Sequence, residues 1–413
     1  MRLGIVTAWF ERGAAYVSKE IEQVFEKQGH DVFIFARGGE IYARNDSKWN
    51  KENVFWSYPG IFNFSGTPIK KKQFKRWIKK NRIDTIIFNE QQSWEPVIWA
   101  KEIGCKTGSY IDYYKEDSIA LFNMYDFLIC NTYRHLSAFE SHHNPIFIPW
   151  GTDTDLFTRS NSLDLVKNKL DIIMDSDKIN FFCSAGMNPS RKGVDTLINC
   201  LHEIKSENIF TYIHSQKSIK KIFPDLVNKI QILESEDKLK IITGTYSAPG
   251  LYSLGDFYIY LSKLDGIGLS LPEAISCGLV PVTPDHPPMN EFAKKDFSFL
   301  IKVKKQYSRN DAYYWPQIDI DEKDLKQQIE LISNLNKKEI NNLKKKARTY
   351  AVKKLNWIDN SKKLPSIINS IKTRKLNNKK ELLDIIRKKK FYNVKLIDFF
   401  VYPYLNFRRY FLE

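Results

Sequence analysis

Asp265-Gly-Ile-Gly-Leu-Ser-Leu-Pro-Glu273-Ala-Ile-Ser-Cys-Gly278-Leu-Val-Pro-Val282 sets a loop, a helix and the start of a strand end to end. Gly266 and Gly268 make a tight loop, Pro272 suits a first helical turn, and Gly278 closes the helix. The amides from Gly268 to Leu271, with Leu269 and Ser270 between, then stand at a helix N-terminus, a place prepared for phosphate. A carboxylate aimed at that phosphate would repel it. Glu273 is therefore expected to accept from vicinal hydroxyls, as an acidic residue does for a ribose. Asp265, eight residues earlier on the strand-end loop, is expected to accept from a sugar hydroxyl beside a diphosphate. The same residues also suit an ordinary proline-started helix with an acidic first turn.

Outward from this segment, short apolar runs alternate with amphipathic ones along the whole chain. Leu3–Val6, Asp31–Ala36, Thr85–Phe88, Ser109–Ile111, Phe127–Cys130 and Ile146–Ile148 read as one set of strands, with a helix from about Ala15 to Gln28. Ile179–Cys183, Thr211–His214, Lys240–Ile242, Phe257–Leu261, Val280–Thr283 and Phe299–Lys302 read as a second. Continuous apolar strands separated by helices imply parallel sheets covered on both faces. The expected fold class is α/β, two doubly wound Rossmann-like domains facing across a cleft at the ends of their strands. The expected boundaries are 1–150, 151–355 and a helical basic and aromatic extension at 356–413, with a Pro/Gly break at Pro149-Trp150-Gly151.

The 413 residues carry 64 Lys and Arg against 48 Asp and Glu, a net charge of +16. Such a surplus implies an anionic partner: nucleic acid, anionic lipid or a phosphorylated substrate. Lys70 to Arg82 contributes eight basic residues and no acid. From Ile371 onward, twelve basic residues face four acids, and Phe391 to Glu413 is thick with Phe and Tyr. Apolar residues at 43% and charged residues at 27% exclude disorder as the general state. The five cysteines, without any CxxC, read as reduced core residues of a cytoplasmic protein. With a strand expected from Leu3, no signal peptide is expected before the fold, and no run of 18 apolar residues is present to span a bilayer.

There is no G-x-G-x-x-G after the first strand and no Walker A, which disfavours a dinucleotide dehydrogenase or a P-loop NTPase. His142-His143 lacks zinc-ligand spacing. Asp153-x-Asp155 and Asp319-x-Asp321 have the form of a metal-binding DxD, but acidic pairs two apart are common by chance. No metal ligand is therefore assigned.

The Asp265–Val282 segment resembles the acidic donor-binding signature of glycosyltransferase family 4 (glycosyl transferases group 1), the retaining GT-B enzymes: E-G-F-G-L-x-x-x-E-A-x-A-x-G-x-P-V. Further stretches resemble that family in the same order. Ile148-Pro-Trp-Gly-Thr-Asp153-Thr-Asp-Leu-Phe157 is similar to I-P-N-G-V-D-x-x-x-F, and Ala185-Gly186-Met-Asn-Pro-Ser-Arg191-Lys192-Gly193-Val-Asp195 to V-G-R-x-x-x-x-K-G-x-D. Gly255-Asp256-Phe-Tyr-Ile-Tyr-Leu-Ser262 sits where the family has A-D-x-x-x-x-P-S, Glu291 where G-x-x-E follows, and Asn356-Trp357 before the last crossing helix. The likeness covers roughly residues 1 to 370.

The resemblance implies a nucleotide-diphosphate sugar as donor substrate, no other cofactor and no bound metal, and transfer with retention by front-face displacement. It assigns the diphosphate to Lys192 with Arg191, and the loop facing donor and acceptor to Gly13 in Glu-Arg-Gly-Ala-Ala. Gly186 falls beside the donor, and Thr243 and Gly244 fall in the loop bordering the base. Three departures stand out. Asp265 replaces the first Glu, which leaves sugar preference open; Met187 replaces the Arg after the glycine; and Ser109-Tyr-Ile-Asp112-Tyr113-Tyr-Lys115 lacks the family's His, with Asp112 or Tyr113 as possible acceptor-side substitutes. The expected acceptor is a cell-envelope glycan or a lipid-linked saccharide at an anionic membrane surface, on its cytoplasmic face. A DNA glycosyltransferase of the same architecture and an inactive glycan- or partner-binding scaffold are the alternatives.

Overall fold

The computed structural model describes the chain except residues 39–40, 60–66, 171, 173–176, 311–312, 377–381, 385, 387–403, 406 and 409–413. The aromatic tail expected to meet a membrane, from Lys388 to Phe411, lies almost wholly outside the described residues. The chain forms two compact units. One comprises Met1–Asn131, His135–Ile148 and the chain from Ser361; the other comprises Thr132–Arg134 and Pro149–Asn360.

The first unit contains β1 (Arg2–Thr7), β2 (Asp31–Ala36), β3 (Val54–Trp56), β4 (Thr85–Asn89), β5 (Lys106–Tyr110), β6 (Phe127–Cys130) and β7 (Pro145–Phe147). They form one sheet in the order β3-β2-β1-β4-β5-β6-β7, with every pairing parallel. Ile5 pairs with Ile34 on one side and Ile87 on the other, all fully buried, as apolar strands covered on both faces require. The helix expected from Ala15 to Gln28 runs from Gly13 to Glu26. Seven strands form where six were expected. The unforeseen β3 is a three-residue edge strand, half-buried throughout, and too short to show a pattern.

The second unit contains β8 (Ile179–Gly186), β9 (Ile209–Ser215), β10 (Leu239–Thr243), β11 (Phe257–Ile259), β12 (Val280–Pro284) and β13 (Phe299–Ile301). Their order is β10-β9-β8-β11-β12-β13, again parallel throughout. The core between this sheet and its helices is built by Phe181, Leu197, Ile213, Phe257, Ile259, Val282 and Ile329, all buried. An antiparallel pair, β14 (Val303–Tyr307) with β15 (Gln317–Ile320), was not expected. Its Lys304, Lys305 and Gln306 are exposed, so no apolar run marks it.

Each sheet has one point where the strand order reverses, between β1 and β4 and between β8 and β11. In open doubly wound sheets ligands bind beyond the carboxyl ends of the strands at that point.

Candidate active site

The carboxyl end of β8 leads through Gly186 to Lys192, and the end of β11 leads through Tyr260 to Asp265. The reversal point of the second sheet thus brings the signature residues together. Arg191 donates to Asp265 Oδ1 at 2.6 Å and Lys192 to Oδ2 at 2.7 Å. Tyr260 donates to the same Oδ2 at 2.5 Å, and the Ser262 hydroxyl also donates there. Burial pushes the Asp265 carboxyl up, but Lys192 and Arg191 outweigh it and hold the group well below the usual carboxylate range. Burial draws the Lys192 ammonium down to about 8, with Asp265 opposing and Arg191 adding to the fall.

One expectation changes in this geometry. Asp265 was expected to stand open to a sugar hydroxyl, yet its carboxylate already accepts from four protein donors. A sugar hydroxyl would have to displace one of them.

The loop above this cluster crosses close to the protein. Gly268 has φ +80°, and a Cβ there would meet the Tyr260 hydroxyl at 2.9 Å. Gly186, at φ +55°, faces open space at the tip of β8, and its neighbour Met187 is 53% exposed. Gly266, Leu269 and Ser270 are half-buried along the same loop. Ser270 opens the helix Ser270–Ser276, and the first-turn amides of a helix have no intrahelical acceptor. Leu271 was expected among the donors, but its N–H bonds to the Gly268 carbonyl at 2.9 Å. Glu273, in this first turn, accepts from the buried Tyr252 hydroxyl. Burial and the neighbouring Glu273 push the Tyr252 phenol well above its ordinary value.

The remaining expected residues are more dispersed. Thr243, exposed, ends β10 and Gly244 follows it, two strands from β8, which is roughly 10 Å at ordinary strand spacing. Gly13 is the exposed first residue of the helix Gly13–Glu26, beyond β1. Asp112 and Tyr113 are half-buried in the loop after β5. Gly13, Asp112 and Tyr113 all belong to the first unit. The acidic pairs considered for metal have local duties. Asp153 accepts from the amides of Asp155 and Leu156, and Asp321 caps the helix Glu322–Ser333. No group of three metal-ligating side chains occurs among the described residues. The stretch beginning Ile148-Pro149 proves structural: Gly151 leaves no space for a Cβ beside the Leu355 carbonyl, and Trp150 packs on Trp357 at 4.6 Å.

Sequence reasoning named Ser262 only as the end of a family-like stretch, with no role, and missed Tyr260, because the run Phe257–Leu261 reads as apolar strand. The available signal was the hydroxyl itself: a buried tyrosine O–H finds a partner, and Asp265 is five residues on. It also missed a cluster at the reversal point of the first sheet. Arg12 meets Glu90 at 3.1 Å, and the buried Arg37 meets the same oxygen at 3.9 Å while donating to the Asn89 carbonyl. Glu90 reaches them from a left-handed backbone, φ +49°.

Residues 169–312 match the family described as glycosyl transferases group 1. No curated protein sequence matches the chain significantly. Among solved structures, a glycosyltransferase from Rickettsia africae ESF-5 superposes with TM-score 0.70 at 16% identity, covering 90% of this chain and 98% of that one. HepE from Anabaena, solved with UDP and glucose, gives 0.67 at 13% identity, covering 90% and 100%. The pneumococcal O-GlcNAc transferase GtfA, solved with UDP and GlcNAc, gives 0.64 at 12%, covering 90% and 99%. Residues 169–312 are thus similar to the glycosyl transferases group 1 family, and the two doubly wound parallel sheets have the GT-B fold of these structures.

Proposed function

We propose that the protein transfers a sugar from a nucleoside diphosphate donor, held by the second unit, to an acceptor bound by the first. The observation that carries this reading is the cluster of Lys192, Arg191 and Asp265 at the reversal point of β8 and β11, beside the start of the helix Ser270–Ser276. Two cations around one carboxylate leave a net positive charge where a diphosphate would lie. They would stabilise the charge that develops on that group as the sugar departs. Glu273 is the acceptor for the ribose hydroxyls, and Thr243 and Gly244 border the base. UDP bound in the structures of HepE and GtfA supports a uridine donor. Transfer with retention of configuration and without a divalent ion is proposed on the family resemblance and on these cations.

For the acceptor we propose a cell-envelope glycan or lipid-linked saccharide at an anionic membrane surface. The helix Lys71–Lys80 supports a charged partner. It buries Phe74, Trp77 and Ile78 and leaves Lys71, Lys72, Arg76, Lys79 and Lys80 exposed. With its apolar face used inside the unit, such a helix would meet a membrane by charge, at about 1 kcal/mol per basic residue near the surface. No helix among the described residues is long and apolar enough to cross a bilayer. The test is a thermal-shift screen with UDP, GDP and their sugars, followed by NMR of the anomeric product and flotation with anionic vesicles or duplex DNA. Stabilisation by a nucleoside diphosphate is expected, since a ligand of the folded state raises the melting temperature. Binding without any transfer or donor hydrolysis would favour the inactive scaffold, and a steeply salt-dependent DNA shift the nucleic-acid alternative.

A further inference from the structure

Tyr260 follows β11 directly, is 1% exposed, and uses its hydroxyl in both directions. The O–H donates to Asp265 Oδ2 at 2.5 Å and accepts from Lys192 Nζ at 2.6 Å. The same ammonium lies 4.2 Å from the centroid of the Tyr260 ring. One phenol therefore touches both members of the ion pair, supplying a hydrogen-bond acceptor and an aromatic face to the cation. Gly268 closes over it, with no room for a side chain. The hydroxyl thus fills the space between Asp265, Lys192 and the loop, which a longer acidic side chain at 265 would need.

We propose that Tyr260 is a positioning residue matched to the short Asp265 side chain, and that together they fix the Lys192 ammonium for the donor diphosphate. The proposal rests on the reading that Lys192 meets that group. It makes Asp265 the anchor of the cations in place of a sugar ligand. Of the three N–H bonds of Lys192, one goes to Asp265 and one to Tyr260, which directs the third toward a ligand oxygen. The groups facing the ammonium are Asp265, Arg191, Cys183 and Tyr260; the Cys183 thiol, pushed up to about 12 by burial, is neutral at working pH.

Tyr260→Phe keeps the ring and deletes only the hydroxyl. The first readout is the titration of Lys192 in the full chain without donor, followed by the pH dependence of its acylation rate. Losing an acceptor for the charged form should move that titration down by about one pH unit. Ser262→Ala, which removes a donor to Asp265 that does not touch Lys192, should leave it in place. The second readout is UDP binding. Asp265→Glu should weaken it about tenfold, and adding Tyr260→Phe should restore most of the loss by making room for the longer chain. An unmoved titration in folded Tyr260→Phe, an equal shift in Ser262→Ala, or a double variant as weak as Asp265→Glu would each overturn the proposal. If the titration moves as stated while neither Lys192→Ala nor Asp265→Glu affects UDP, the pairing stands and the donor reading fails.

Discussion

The two sheets end in the same electrostatic pattern built from different parts. At the reversal point of the second, Lys192 and Arg191 flank Asp265; at that of the first, Arg12 and Arg37 flank Glu90. Both place two cations around one carboxylate beyond the carboxyl ends of buried parallel strands. The second cluster contains a lysine whose proton leaves near pH 8 and a phenol that holds it. The cations of the first are both guanidinium groups, which stay charged at every working pH. The lesson is that shared topology sets where charge gathers, while the residue types decide whether the cluster responds to pH.

The sharpest way to break this comparison is to remove one cation from each side. Lys192→Ala should lower the transfer rate about 100- to 1,000-fold, the range for deleting one preorganised group that stabilises developing charge. Arg37→Ala should leave the UDP dissociation constant within about twofold, because the buried Arg37 guanidinium is already engaged by Glu90 and the Asn89 carbonyl. Equal losses in donor binding would end the distinction. Glu273→Ala comes next: losing hydrogen bonds to a charged acceptor should raise the donor dissociation constant about 10- to 150-fold. Calorimetry on the folded variant checks it.

The pH response sharpens the same contrast. Donor binding needs the charged ammonium, so affinity should be full below pH 8 and fall up to about tenfold per pH unit above it. Lys192→Arg should flatten that alkaline limb, because arginine keeps its proton. The smallest effect concerns backbone strain. Arg82, exposed, and Glu90 both have φ +49°. Arg82→Gly should stabilise the fold by about 0.5 to 1 kcal/mol, the left-handed penalty less the entropy of glycine. Glu90→Gly should not stabilise it, since it also frees the buried Arg37 from its carboxylate. Thermal unfolding distinguishes the two.

Much of the fold was legible because parallel strands buried on both faces are continuous apolar runs. Asp31–Ala36 and Phe127–Cys130 appear where the sequence places them. Val54–Trp56 and the antiparallel pair of Val303–Tyr307 with Gln317–Ile320 escaped because edge and exposed strands bury too little to leave a pattern. The site was legible in part. Lys192, Arg191 and Asp265 come together as their motifs implied, but motif reading follows one stretch of chain at a time. It could not show that Tyr260 and Ser262 close the cage around Asp265, or that Arg37 and Glu90, 53 residues apart in the chain, meet beyond the ends of β2 and β4.

The central claim is that the Lys192–Asp265–Arg191 cluster holds a nucleoside diphosphate. Its most direct test is calorimetric titration of UDP into the full chain and into Lys192→Ala at pH 7 in excess chelator. The account predicts binding to the first and at least a tenfold weaker constant for the second. Binding of equal strength in both, or binding that returns only with magnesium or manganese, would contradict it.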